Sequence, residues 1–350
     1  MFNFMFIPDV IEGPSAWYGP QMAANREWIE QLTPTEIAEI ESAAGRLVSA
    51  EQDIPSIRKC DFPLPTLGPR LHRILDDLLN RRGFALLRSL PVERWSKRQT
   101  ATAFFGLGTH LGSARPQNAQ GHVLGHVRDL GMSSSDPNVR IYQTRERQGY
   151  HTDSCDLVGL LCLQTARSGG FSSLVSSVTI YNEMRRRRPD LLSCLFEPIE
   201  TDRRGEMAEG QKPYFEIPVF NWHAGLLTAV YQRKYIDSAR RLVGTPLTQE
   251  QTGALDLMDA LCDDPRLSMT MEFLPGDVQL VHNHTLLHDR TAFQDWPEPE
   301  RKRHLMRLWL APAEARALPP VIAQRYGSVT PGDRGGVIVA GAKRIAPLEP

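Results

Sequence analysis

The chain has 350 residues, 41% of them hydrophobic, enough for a substantial core and within the range of one elaborated catalytic domain. Its 40 basic and 41 acidic residues nearly cancel, so no overall field draws it onto nucleic acid or an anionic membrane, and no stretch approaches the roughly 20 apolar residues that span a bilayer. Five scattered cysteines, Cys60, Cys155, Cys162, Cys194 and Cys262, contain no Cys-x-x-Cys pair and read as free thiols in a reducing, cytoplasmic setting.

Met1 to Val10 lacks a basic start and a long apolar run, so it does not read as a secretion signal. Pro8, Gly13, Pro14, Gly19 and Pro20 among aromatics suit an irregular arm. Thr33, Pro34 and Glu36 then form a capping box that opens a helix through Ile37, Ile40 and Leu47. Leu71, Ile74, Leu75, Leu78 and Leu79 space a second helix, stopped at Gly83, and Phe84 to Leu87 reads as a strand. A third helix is predicted from after Ser96 to near Gly112. From Arg140 the texture turns to short β-type runs: Ile141 to Thr144, Val158 to Leu163, Ser172 to Ser176, Leu267 to Phe273, Val278 to Val281 and His304 to Leu310. Pro275-Gly276-Asp277 is expected to join two of these as a hairpin. Helices are expected at Val178 to Arg187 and Thr248 to Leu261. The pattern predicts an α+β fold with a jelly-roll core flanked by helices. The tail from Pro312 reads as peripheral.

His151-Thr152-Asp153 sets an imidazole and a carboxylate two residues apart, on one face if the segment is a strand. With 10 histidines in the chain, such a pair alone is common and is usually a surface pair. The run GDVQLVHNHTLLHDR offers a third ligand in His282, His284 or His288. Two histidines and a carboxylate leave open positions on octahedral iron(II), whereas tetrahedral zinc with the same ligands would make a hydrolase. Alternation places Arg303, Leu305, Arg307 and Trp309 on one face of the last strand. An inward arginine needs an anion, either an internal acid or the carboxylate of a ligand held by its planar fork.

The blocks HTDSCDLVGLLCL, SGGFSSLVSSVTIYNEM and NHTLLHDRTAFQDWPEPERKRHLMRLWLAP, in this order, resemble the taurine dioxygenase and 2,4-dichlorophenoxyacetate dioxygenase family. The likeness is strongest over residues 140–311, and RRGFALLRSLP extends it upstream. The resemblance implies a double-stranded β-helix of the cupin-like kind and an enzyme dependent on iron(II), 2-oxoglutarate and O2. It implies metal ligands His151, Asp153 and His288, and Arg307 on the far carboxylate of 2-oxoglutarate, with Ser172 and Arg303 beside it. His122 or His126 stands near where family members contribute a substrate-contacting histidine. Asp153 stands where related halogenases have a small residue, which disfavours halogenation.

The expected organisation is a single catalytic domain over 1–350, with a mainly helical elaboration over 1–139, the core over 140–311 and the tail over 312–350. The expected reaction oxidises a small molecule, by default through hydroxylation, and releases succinate and CO2; desaturation and ring closure are open to the same site. A cover from Gly121 to Arg128 and from the irregular Thr201 to Gln232 is expected over the metal. No nucleic-acid or membrane partner is expected, and homo-oligomerisation is left open. The rivals are a zinc-dependent cupin-like hydrolase and a non-catalytic 2-oxoglutarate-binding protein.

Overall fold

The structure, a computed structural model, describes residues 7–133, 139–206, 210–339 and 341–350. The opening residues 1–6 and residues 207–209 of the expected cover lie outside the described residues. The strands that position the site are β1 (Ile29–Gln31), β2 (Phe84–Arg88), β3 (Ser113–Ala114), β4 (Gly125–Val127), β5 (Gln148–His151), β6 (Leu157–Gln164), β7 (Ser172–Ser176), β8 (Pro198–Asp202), β9 (Tyr214–Pro218), β10 (Met269–Met271), β11 (Val278–His282), β12 (Leu286–Arg290) and β13 (His304–Ala311). The larger sheet runs β1-β2-β11-β6-β13-β3, with β4 also on β13, and the smaller runs β10-β7-β12-β5.

Alternation along these strands sorts side chains into layers. Phe84, Leu86, Cys162, Val281 and Leu305 of the larger sheet form one apolar cluster with Leu174, Met269, Met271 and Leu286 of the smaller. Ala85, Leu87, Leu161, Leu280 and Leu308 join the other cluster, with the helices α1 (Pro34–Ser49), α2 (Leu67–Asn80) and α3 (Lys97–Thr109). The capping box of α1 is present: Thr33 Oγ1 accepts from Glu36 N–H at 3.3 Å and Thr33 N–H donates to Glu36 at 2.8 Å. On the smaller sheet, Val175 and Leu287 pack with α4 (Ser177–Arg187) and α6 (Gln249–Cys262), while α5 (Arg233–Val243) adds Ile236. Every residue of β7, β11 and β12 is buried. Each buried Leu, Ile or Val contributes about 1.5 to 3 kcal/mol.

Four expectations are corrected. Ile141–Gln143 is a turn of 3-10 helix, so the run Ile141 to Thr144 is no strand; Thr144 instead returns its N–H and hydroxyl to the Ile141 carbonyl. Pro275-Gly276-Asp277 does not close a hairpin, because β10 pairs with β7 and β11 with β2 and β6; the turn carries the chain from one sheet to the other. Gly276 has φ +88°, and a Cβ there would meet the Leu90 carbonyl oxygen at 2.0 Å. The segment Thr201 to Gln232 is not irregular: β8 and β9 form an antiparallel pair, as do Phe220–His223 and Leu226–Ala229.

The tail, finally, is not peripheral. Arg334 is fully buried and holds Asp156, also fully buried, through paired bonds of 2.7 to 3.0 Å, with His284 Nε2 at 2.7 Å from the same carboxylate. Tyr326 donates to the carbonyls of Asp153 (3.3 Å) and Cys155 (3.1 Å). No helix among the described residues is long and apolar enough to cross a membrane. The five cysteines are unpaired.

Burial raises the pKa of Asp156, but His284 and Arg334 outweigh it and bring it below the ordinary carboxylate value. Arg334→Ala leaves that carboxylate uncompensated and should cost about 3 to 5 kcal/mol in urea unfolding at neutral pH. Because the folded-state pKa is depressed, the wild-type advantage is present above the unfolded carboxylate pKa and shrinks as pH falls through the folded one. Equal unfolding midpoints at neutral pH would remove the tail from the core.

Candidate metal centre

His151 closes β5, and antiparallel pairing with β12 sets His288 directly opposite it, just before the ladder shifts register towards Arg290. The two rings stand with centroids 4.1 Å apart. Asp153 lies beyond the strand end, so the turn after β5 brings it round. Asp153 N–H donates to Asn283 Oδ1 at 3.0 Å and its carbonyl accepts from Tyr326. One ligand atom from each of His151, Asp153 and His288 lies within 4.8 Å of the others, and all three residues are buried; no other His, Cys, Asp or Glu group among the described residues converges in this way. His282 and His284 do not join them: His282 Nδ1 meets Thr285 Oγ1 at 2.8 Å and His284 serves Asp156.

The donor atoms are oriented by their neighbours. His151 donates from Nδ1 to the Gly149 carbonyl at 2.9 Å, which turns its Nε2 lone pair inward, where the Gln148 amide meets it at 2.8 Å. Asp153 Oδ2 accepts from Trp309 Nε1 at 2.8 Å and Arg307 Nη1 at 3.4 Å, leaving Oδ1 on the His151 side at 3.6 Å. Burial raises the pKa of Asp153, but Arg307 and both histidines hold it well below the usual carboxylate range, so it is ionised. Burial and the neighbouring His151 push His288 down to about 3, so its imidazole is neutral, with its buried Nδ1 unpartnered. Two imidazoles and a carboxylate converging from one side fit iron(II), with positions left for other ligands. Trp309 and Arg307 are the outer partners that fix the carboxylate.

Arg303, Leu305 and Arg307 face one pocket with the triad, as strand alternation requires, together with Val127, Val158, Leu160 and Phe273. Arg303 lies against Gly170, donating from Nη2 to its carbonyl at 3.3 Å, and its buried Nη1 has no partner among the described residues. Gly170 has φ +70°, and a Cβ there would come within 2.8 Å of Arg303 Nε. Arg290 adds two more unpartnered buried atoms, Nε and Nη1. Both guanidiniums lie over the Phe293 ring, at 4.9 Å for Arg290 and 5.2 Å for Arg303. Burial pushes Arg303 down to about 10; burial and the charge of Arg303 push Arg290 down to about 9. Guanidinium does not release its proton in proteins, so two buried charges remain whose burial outweighs the pull of Asp289 and Asp295 nearby, and they call for an anion. Arg307 differs: it donates to Gln117 Oε1 at 2.7 Å and to Asp153. Ser172, opposite Arg290 in the β7–β12 ladder, donates to Gln279 Oε1 at 3.0 Å.

His122 and His126 are not brought to the centre. His122 bridges to Ile345, and His126 meets His304 Nε2 at 2.8 Å and the Pro347 carbonyl at 2.9 Å. In the expected cover segment it is Val127 that faces the pocket, because alternation along β4 turns His126 the other way. Sequence reasoning missed Arg290, although it stands two residues after His288 on the same strand face. It also missed the bond from Trp309 to Asp153 and the part of Gln148, for which no spacing rule gives a signal.

The sequence profile of the Taurine catabolism dioxygenase TauD, TfdA family matches residues 41–309. The chain belongs to this family. FR-33289 synthase of Streptomyces rubellomurinus (strain ATCC 31215) is 30% identical over 322 residues, covering 91% of this chain and 95% of that protein. Taurine hydroxylase-like protein SAT17 of Stachybotrys chartarum (strain CBS 109288 / IBT 7711) is 29% identical over 321 residues, covering 88% and 82%. The structure of an asparagine oxygenase in complex with Fe(II), 2S,3S-3-hydroxyasparagine and succinate shares the fold, with a TM-score of 0.63 at 16% identity over 81% of this chain and 93% of that one. As a member of the family, this chain is an iron(II)- and 2-oxoglutarate-dependent dioxygenase that acts on a small molecule.

His151→Ala, Asp153→Ala and His288→Ala should each weaken iron(II) binding by more than about 100-fold, and Trp309→Phe, which leaves the ligands but removes an outer N–H, by about 10- to 100-fold. Calorimetric titration of metal into soluble variants reads both. Wild-type affinity in His288→Ala would reopen the choice among the three histidines.

Proposed function

We propose that this enzyme hydroxylates its substrate within a single catalytic domain, and that the two sheets are the halves of a double-stranded β-helix closed around the metal pocket. The observation that carries the reading is the adjacency of two features. An open His-Asp-His triad stands beside two buried arginines, each bonded to a backbone carbonyl through Nη2 but with further N–H groups that lack a partner among the described residues. A zinc hydrolase or a bare binding module has no use for both. Iron(II) with 2-oxoglutarate and dioxygen supplies the oxidising power and releases succinate and CO2. The unpaired cysteines and near-neutral charge support a cytoplasmic setting.

Within this reading His151, Asp153 and His288 hold the metal, and Trp309 with Arg307 keeps one carboxylate oxygen of Asp153 turned away from it. The dry walls from Val158, Leu160, Phe273 and Leu305 exclude water and strengthen charge interactions inside. The resemblance gave the far carboxylate of 2-oxoglutarate to Arg307, but the geometry favours Arg303. Arg307 touches a metal ligand and has its partners, so it lies at the near end of the pocket. Arg303 packs against Gly170, beyond Ser172 on the strand that runs past His288, so it lies at the far end with a free N–H. Arg303, with Arg290 and the Ser172 hydroxyl beside it, therefore takes the far carboxylate. Arg307 is left to steady Asp153 and to face the substrate.

Arg303→Gln removes a charge-assisted contact of roughly 1.5 to 3 kcal/mol and should raise the 2-oxoglutarate requirement about 10- to 150-fold while leaving metal affinity near wild type. Arg307→Gln should instead weaken metal binding, because Asp153 loses a partner. The reverse pattern would return the clamp to Arg307. The reaction is tested by supplying iron(II), 2-oxoglutarate and oxygen and measuring succinate across amino acids, amines, sulfonates and aryloxy acids. A product heavier by one oxygen identifies hydroxylation; failure of iron-loaded protein to bind 2-oxoglutarate would sink the proposed cosubstrate site.

A further inference from the structure

One buried amide from outside the pocket grips a pocket arginine at two points. Gln117 is 5% exposed. Its Oε1 accepts from Arg307 Nε at 2.7 Å, and its Nε2 donates to the carbonyl of the same Arg307 at 2.8 Å and to that of Val123 at 3.4 Å. Side chain and backbone of one residue are thus held by a single neutral group.

Sheet topology shows why an amide stands there. A strand has two edges, and β6 takes one edge of β13 from His304 to Leu310. On the other edge β4 pairs with Leu305 to Arg307 and β3 with Leu310 and Ala311. Between β3 and β4 the chain leaves this edge, and the Gln117 amide reaches back to the Arg307 carbonyl as a strand neighbour would. The turn that bears it is closed on itself. Gln117 N–H donates to the His122 carbonyl at 2.8 Å, and Asn118 Oδ1 accepts from the N–H groups of Gln120 at 3.1 Å and His122 at 3.2 Å. The tail pins the turn from outside: Val337 N–H donates to the Pro116 carbonyl and Val123 N–H to the Ile345 carbonyl, both at 2.8 Å. A Cβ on Gly125, the partner of Arg307 across the ladder, would come within 2.4 Å of Gln117 Oε1, so the amide requires bare backbone at that position.

The grip matters because of what Arg307 does at its other end. Its guanidinium lies 4.7 Å from the centroid of the Tyr142 ring and 4.9 Å from that of Trp309. Its Nη1 donates to Asp153 Oδ2 at 3.4 Å, the same oxygen that Trp309 Nε1 meets at 2.8 Å. A contact of 3.4 Å lies near the limit of a hydrogen bond and does not position the guanidinium by itself. The bond from Nε to Gln117 is the short one. Guanidinium is planar and rigid, so fixing Nε and the backbone carbonyl fixes where Nη1 points. A neutral acceptor suits this task, since a carboxylate in its place would compete with Asp153 for the positive charge.

Resting on the assignment of the metal to His151, Asp153 and His288, we propose that Gln117 is a positioning residue of the metal centre: its amide fixes Arg307, and through Arg307 the carboxylate of Asp153. The segment between β3 and β4, remote from all three ligands in sequence, thereby sets the orientation of one of them.

Cobalt(II), whose visible absorption reports the arrangement of its ligands, serves as the probe in calorimetric and spectroscopic titrations of the full chain. Gln117→Leu keeps the bulk of the side chain and removes both polar ends. It should weaken cobalt(II) binding about 3- to 10-fold, less than loss of a direct outer partner does, and shift the bound-cobalt spectrum as Arg307→Gln shifts it. In the Arg307→Gln background the same substitution should cost no further affinity, because a residue that acts through another has nothing left to act on. Gln117→Asn, which keeps an amide but is one methylene shorter, repeats the test without setting an apolar group against a guanidinium. Urea unfolding of the metal-free proteins runs in parallel. A lower unfolding midpoint with wild-type cobalt(II) affinity and spectrum would make Gln117 a packing residue alone, and equal losses of affinity in both backgrounds would make its effect independent of Arg307; either result overturns the proposal. Undiminished cobalt(II) binding in His288→Ala would instead overturn the metal assignment on which it rests.

Discussion

The centre depends on one cross-strand pairing, His151 opposite His288 in the β5–β12 ladder. Side chains on a strand alternate faces, so a slip of one residue would send one imidazole to the opposite side of the sheet and dissolve the site. The register is secured on the other edge of β12, where Leu286 to Arg290 pair with Ser176 to Ser172. The strand that aligns the histidines on its β5 edge sets Arg290 opposite Ser172 on its β7 edge, so both ends of the pocket are spaced along the one strand β12.

Behind this ladder the protein places charge where charge is expensive. Asp156 is fully buried three residues after the ligand Asp153, and Arg334 and His284 meet it. An apolar core would serve stability as well or better at such a spot. The pair does something an apolar contact would not: it ties the C-terminal tail, the strand β6 and the turn after β11 to one point. Tyr326 and Arg325, from the same tail, then bond to the backbone of Thr152 and Asp153. The turn that bears Asp153 is held by Tyr231 through Thr152 and by Asn283, and the tail adds further bonds to the same backbone.

The difference between what was legible in the sequence and what was not follows the range of the interactions. Capping of α1 by Thr33 and Glu36 and the single-faced set Arg303, Leu305 and Arg307 are local rules of helix and strand, and the residues carry them openly. The hairpin at Gly276 was misread because a tight turn looks the same whether the strands on either side pair with each other or with different sheets. Ile141 to Thr144 has strand composition, yet it is wound into a 3-10 turn that sets Tyr142 over Arg307. Arg334 and Arg325 sit in a Gly- and Pro-rich tail of loop-like composition, and only the folded chain brings them to Asp156 and Ser154. The family resemblance supplied the choice of His288 over His282 and His284, since all three are buried and only their partners differ.

The pocket is also where the chain least satisfies its own groups. The fully buried Arg334, by contrast, has its carboxylate partner in Asp156. Around the metal pocket Arg290 and Arg303 keep unpartnered N–H groups, and they repel each other across the Phe293 ring. Natural sequences tolerate such conflicts chiefly at functional sites. Here the conflict has a direction: the unmatched charge is positive, it lies at the far end from the carboxylate ligand, and the space before it is walled by apolar side chains that keep water from screening it. Under the proposed assignment of the far end to the cosubstrate, an anion entering that space would relieve the repulsion and desolvation together, and the proposed cosubstrate site would draw its binding energy from conflict already present in the fold.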